Sequence, residues 1–177
     1  MAGAAAQTRA AKARRWASKP SVSRIVRRLV RNGNSTVTES QQRSIAFATL
    51  APLLEVTGCS FYSLQKGDDA VKQLRDSIWR DRVIDFTDEL HDFSDTAALI
   101  ENLDLVIAVD TSVLHLAGAL AKPVWLLNRH NTCWRWLRDR EDSPWYPSLR
   151  QFRQDATRDW DQVVRHVADA LRERFVL

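Results

Sequence analysis

Within the stretch Leu103–Leu127, LDLVIAVDTSVLHLAGALAKPVWLL, the polar residues Asp110, Thr111 and Ser112 interrupt an apolar run, and His115 follows three positions later. Both hydroxyls can cap a helix running from about Val113 to Ala121, whose first backbone N–H groups then face outward. His115, in the first turn of that helix, can donate a further hydrogen bond to a phosphate. The chemistry on offer is the binding of an anion of phosphate size. An ordinary helix cap beside a packed surface histidine is the competing reading of the same residues.

Such a turn needs rigid elements on either side. Leu105–Val109 is a short, continuous apolar run rich in branched residues, as expected of a parallel strand buried on both faces. Pro123 stops the helix, and Val124–Leu127 reads as the next strand. A polar turn at the carboxyl end of a buried strand stands where open α/β sheets bind ligands. The rest of the chain alternates in the same way. Residues 33–44 read as a loop, Ile45–Leu54 as a helical stretch interrupted near Pro52, and Cys59–Leu64 as a strand. Asp69–Trp79 follows as an amphipathic helix, Val83–Phe86 as a short strand, and Asp95–Asn102 as a helix capped by Ser94. A last amphipathic helix begins at Asp159 and gathers Val163, Val164, Val167, Ala170 and Leu171 on one side. The pattern predicts an α/β fold, a Rossmann-like parallel sheet with helices on both faces. The stretch Asn128–Arg150, with its three tryptophans, reads as a long loop pinned by its own aromatics.

Two further stretches carry candidate binding groups. Gln65 and Lys66 come just after a strand, where a nucleotide can be approached from the carboxyl edge of the sheet; an exposed loop lysine explains Lys66 equally well. Asp85–Glu89 follows another strand and can reach a ribose or base, although acidic loop residues usually just face water.

Several ordered motifs resemble one family. Asp110-Thr111-Ser112, His115-Leu116-Ala117, Ala119-Leu120 and Lys122-Pro123-Val124 are similar to the signature of glycosyltransferase family nine, the heptosyltransferase-like enzymes. Ser63–Gly67, Asp95–Ile100, Trp134–Leu137 and Asp142–Pro147 resemble a bacterial branch of it, often fused behind tetratricopeptide repeats and distantly similar to O-GlcNAc transferase. The resemblance implies the second, nucleotide-sugar-binding lobe of a two-lobed GT-B enzyme, over roughly Gly33 to the C-terminus. It implies a nucleotide-sugar donor as partner, no metal and no cofactor, with helix N-termini and side-chain cations stabilising the leaving diphosphate. It also implies that Gly33, Asn34, Arg43 and Ser44 belong to a donor-side loop. That loop departs from the family pattern where Val37 replaces a histidine and Ser40 an aspartate, and valine can neither donate nor transfer a proton. No catalytic residue is assigned.

Composition bounds these expectations. A chain of 177 residues suits one ordinary domain and not two Rossmann-like lobes, so an incomplete enzyme lacking its acceptor lobe is expected, with a separate lobe or a tetratricopeptide protein as partner. Apolar content of 45% and charged content of 27% are those of a globular protein, and no apolar run reaches the roughly 20 residues of a membrane span. Cys59 and Cys133 form no metal spacing and suit a reducing cytoplasm. There is no GxGxxG after a strand and no Walker A sequence, which argues against a dinucleotide oxidoreductase and an NTPase.

The net charge of +4 divides unevenly: of 26 Lys/Arg, nine fall in residues 1–32, which hold no acid, leaving 17 against 22 acidic residues beyond. Residues 1–32 therefore read as a basic leader outside the fold, and 33–177 as the nucleotide-sugar-binding lobe. A nucleic-acid arm and a transit peptide are alternatives for the leader. A solvated tail left by truncation is preferred, because Arg27, Arg28 and Arg31 stand where the family has a buried first strand. Nucleic acid is then an improbable partner. For the whole chain, a nucleotide-binding or protein-interaction module without turnover and a polyanion binder remain as alternatives.

Overall fold

The computed structural model describes residues 23–28, 45–65 and 68–175. Its strands are β1 (Ser23–Arg28), β2 (Cys59–Ser63), β3 (Val83–Asp85), β4 (Leu105–Ala108), β5 (Val124–Asn128) and β6 (Leu149–Arg153). Its α-helices are α1 (Ala51–Leu54), α2 (Asp68–Arg75), α3 (Phe93–Glu101), α4 (Ser112–Ala119) and α5 (Trp160–Phe175). The strands form one sheet in the order β3-β2-β1-β4-β5-β6, with every pair parallel. That order is Rossmann-like. It reverses direction between β1 and β4, and open α/β sheets bind ligands outside the carboxyl edge at such a switch point.

Alternation along the buried strands feeds two separate cores. Leu105, Ile107, Trp125 and Leu127 pack on one face, with Leu53 and Leu54 of α1 and Val163, Val164, Val167 and Leu171 of α5. Val106, Ala108, Val124 and Leu126 pack on the other, with Leu99 and Ile100 of α3 and Val113, Leu114 and Ala117 of α4. Fully burying one such Leu or Val contributes about 1.5–3 kcal/mol. Helices thus cover both faces, as expected for strands that lack a polar side. No helix among the described residues is long and apolar enough to cross a membrane.

The largest departure from expectation is at the N-terminal side. Ser23–Arg28 falls within the stretch read as a leader, yet it is the strand between β2 and β4, so the boundary at residue 33 does not hold. Register explains how six residues with three arginines fill that place. Ile25 stands level with Phe61 and Leu105, and Val26 with Tyr62 and Val106, so the apolar pair occupies the middle. Arg24 stands towards the amino end of the pairing, and Arg27 and Arg28 towards the carboxyl end. Counting arginines missed that the apolar pair Ile25 and Val26 falls at the centre of the register.

Smaller differences have local causes. Pro52 lies in the first turn of α1, after a 3-10 turn at Ala48–Leu50, and so starts a helix where an interruption was expected. The helix expected to reach Trp79 ends at Arg75. Asp92, not Ser94, caps α3, its side chain accepting a hydrogen bond from the Asp95 N–H at 2.8 Å. Strand β6 takes up the end of the presumed loop and was not foreseen.

Candidate functional site

Strand β4 delivers Val109 and Asp110 to the carboxyl edge of the sheet, and α4 departs at once. Thr111 stands at the N-cap position with extended backbone (φ −149°, ψ 164°), but its side chain makes no capping hydrogen bond. The cap expected of the Thr111 hydroxyl is not formed; the Thr111 Oγ1 is buried and unpartnered. At its other end, α4 closes with the Lys122 N–H on the Ala117 carbonyl, which forces Ala121 into the left-handed region (φ 54°) before Pro123.

The side chains around Asp110 form a connected set. His115 Nε2 lies 3.3 Å from Asp110 Oδ1, and the Arg135 guanidinium 3.9 Å from Oδ2. The other ring nitrogen of His115, Nδ1, is 3.0 Å from the Tyr146 hydroxyl. A carboxylate only accepts, so Nε2 carries a proton towards Asp110 and, in the neutral ring, the Tyr146 hydroxyl donates to Nδ1. The His115 ring also stacks on Trp136, with centroids 5.5 Å apart and planes 15° from parallel. Burial by itself would push the Asp110 carboxyl upward, but hydrogen bonding from His115, the nearby Trp136 indole N–H and the charge of Arg135 hold it below the usual carboxylate range. Asp110 therefore remains ionised at neutral pH, and Arg135, at 3.9 Å, pairs with it only loosely.

Arg135, Trp136 and Tyr146 all come from the segment between β5 and β6. The 3-10 turn Trp134–Trp136 points its last residue inward, where Trp136 is 1% exposed. Gln151, buried on β6, fixes the segment by donating to the carbonyls of Trp136 (3.0 Å) and Asp142 (2.7 Å). Arg153 adds bonds to the carbonyls of Trp136 and Leu137. The Tyr146 ring lies flat against α4 at Gly118, where a Cβ would come within 2.6 Å of two ring carbons. Only glycine lets the ring approach that closely and bring its hydroxyl to His115.

Four buried side-chain polar atoms among the described residues lack a hydrogen-bond partner: Thr111 Oγ1, Arg135 Nε, Trp136 Nε1 and Gln65 Oε1. Three of the four surround Asp110. The fourth follows β2, two strands away across the switch point, on a residue 3% exposed. Buried polar groups are rarely left unpaired, so their concentration at one edge of the sheet marks a place built to meet a polar ligand.

Of the residues singled out from sequence, the structure brings Asp110, Thr111, Ser112 and His115 together at this turn and puts Gln65 at the same sheet edge. His115 differs from expectation in that both ring nitrogens already have partners within the chain, so its free capacity to donate to a phosphate is small. Lys66, Gly33, Asn34 and Arg43 lie outside the described residues, as do Val37 and Ser40. Asp85 is engaged by Arg75 and by the Thr87 N–H and hydroxyl, so it serves the β3 loop itself. Arg135, Trp136 and Tyr146 were read as part of a self-pinned aromatic loop and of two motifs that carry the resemblance, but not as residues of the site. An arginine between two tryptophans, in a segment too long for a plain connection, was the available signal.

A parallel sheet in this strand order, covered by helices on both faces, defines a Rossmann-like α/β domain, with a polar turn and a facing arginine at its switch point. Residues 89–163, which include the turn and the whole β5–β6 segment, match the sequence profile of Glycosyltransferase family 9 (heptosyltransferase). The chain is also similar to Protein FlbA of Caulobacter vibrioides, 35% identical over 129 residues. That similarity covers 69% of this chain and 21% of FlbA, so the chain spans about a fifth of the length of that relative.

Proposed function

We propose that this chain forms the nucleotide-sugar-binding lobe of a GT-B glycosyltransferase and holds the diphosphate of its donor at the Asp110–His115 turn. The observation that carries the reading is the pair of unpartnered buried atoms at the N-terminus of α4, Thr111 Oγ1 and Arg135 Nε, the Trp136 N–H being already turned towards Asp110. There the helix dipole and the Arg135 guanidinium both favour negative charge. The match to the family 9 profile over the same residues supports a sugar transferase in particular. In this reading Arg135 neutralises the leaving diphosphate, Asp110 and Tyr146 orient His115, and Gln65 meets the nucleoside. Its place is the cytoplasm, in keeping with the free thiols of Cys59 and Cys133. Transfer further requires an acceptor held in line with the sugar carbon, which a second lobe or a tetratricopeptide partner would supply.

One observation favours a module that binds without turnover. Both nitrogens of His115 are engaged, and with Val37 in place of a histidine the chain has no obvious free imidazole for proton transfer at this turn.

Thermal unfolding with UDP, ADP, GDP and their hexose conjugates tests binding. A ligand at a hundred times its Kd stabilises the folded state by about 2.7 kcal/mol, several degrees in Tm for a chain of this size. The effective ligand should lose most of that shift in Arg135→Ala. No shift with any compound, or an equal shift in the variant, would refute the site. Release of nucleoside diphosphate from bound donor separates the transferase from the module.

A further inference from the structure

Beside the turn, the same segment exposes two tryptophans that the proposed diphosphate site does not use. Trp134 is 70% exposed and Trp145 55%, with ring centroids 6.3 Å apart and planes at 88°. The segment that carries them is tied down by side-chain hydrogen bonds to its backbone. The Trp145 indole N–H donates to the Arg135 carbonyl at 2.9 Å, and Arg153 grips the Leu137 carbonyl at 2.6 Å. Leu137 itself takes φ 50° and ψ −178°, a conformation that only glycine adopts without strain. Strain of that kind persists where the surroundings dictate it, and the segment holds Trp134 exposed while Trp136 is buried. Arg135 lies between them, its guanidinium 5.9 Å from the Trp134 ring centre and 3.9 Å from Asp110.

We infer that the Trp134–Trp145 corner is the subsite for the sugar ring of the donor, the apolar C–H face of a hexopyranose stacking on Trp134. This rests on the proposed diphosphate site. The sugar is bonded directly to that diphosphate, and Trp134 is the ring beside the arginine facing the turn. The two sides of the turn also differ in chemistry. On the β2 side, Gln65 offers a buried polar group suited to a base edge. On the β5–β6 side, the Trp145 indole N–H is spent on a backbone carbonyl, and the exposed ring face of Trp134 offers apolar surface suited to stacking. A base read by hydrogen bonding fits the first side, and a pyranose the second.

Calorimetry on the full chain, comparing UDP with UDP-glucose, GDP with GDP-mannose and ADP with ADP-glucose, tests this. For whichever pair binds, Trp134→Ala should weaken the sugar conjugate about three- to tenfold, leave the nucleoside diphosphate unchanged, and be restored largely by Trp134→Phe. Trp134 is largely exposed, so thermal unfolding of the variant should match the parent. Equal weakening of diphosphate and conjugate would assign the corner to the base and overturn the inference, as would no effect on either. Failure of the unaltered chain to bind any of the diphosphates would instead overturn the underlying diphosphate site.

Discussion

Gly118→Ala offers a test of the contact that orients His115, because the sign of its effect depends on one ring. Alanine in place of a helical glycine stabilises by about 1 kcal/mol when nothing opposes it. Here the new methyl would stand 2.6 Å from two carbons of the Tyr146 ring, well inside contact distance, and a ring cannot yield as the end of a flexible side chain can. Displacing it costs about 1–3 kcal/mol of overpacking, and the lost Tyr146–His115 hydrogen bond about another 0.5–1.5 kcal/mol. The net expectation is a destabilisation of about 0.5–3.5 kcal/mol. With Tyr146→Ala the obstacle is gone, and Gly118→Ala should then stabilise by up to about 1 kcal/mol. Urea unfolding of the four proteins of this cycle measures both numbers, and their difference is the coupling between the two positions. If Gly118→Ala has the same sign and size in both backgrounds, the ring does not depend on the glycine and the account of His115 positioning fails.

Two further expectations follow from the sheet and from Asp110. Deleting Ser23–Arg28 removes the strand between β2 and β4 and should abolish cooperative thermal unfolding; a truncated chain that melts at the parent temperature would show that the strand is dispensable. The Asp110 carboxyl is held below its ordinary value in the folded chain, so its contribution is fully present above the unfolded value of about 3.9 and is lost as pH falls through the lower folded one. Acid unfolding should therefore be shallower in Asp110→Asn, which should also be less stable at pH 7, and parallel curves for the two proteins would refute the assignment.

How far the sequence discloses this molecule depends on what each element has to bury. Leu105–Ala108 is legible because a strand covered on both faces must be apolar throughout, and all four of its residues are buried. Its neighbour β1 hides because its short apolar pair is flanked by arginines, and composition registers the charge more readily than the position. Strand β6 hides for another reason. It buries Gln151, whose amide is satisfied by Asn128 and by loop carbonyls, so a polar residue marks its inward face. At the site, Asp110, Thr111 and His115 share one turn and can be found by spacing. Arg135 and Tyr146 reach it from far along the chain, and only the folded path of the β5–β6 segment brings them there. Gly118 carried a faint trace of that path, as a small residue inside a helix with no turn to make.

The place of β1 in the middle of the sheet also constrains how the chain reaches its fold. Ile25 is among the first of the described residues to be synthesised, and one of its partners, Leu105, comes only after β2, β3 and α3 have been made. At about 5–20 residues per second, the open side of β1 then waits several seconds for β4, presenting unpaired N–H and C=O groups along its length. Pairing of this range makes folding slow and the nascent chain adhesive. The charge carried by Arg24, Arg27 and Arg28, so poorly suited to a central strand at first sight, is the kind of feature that keeps an exposed edge from joining its neighbours during that interval.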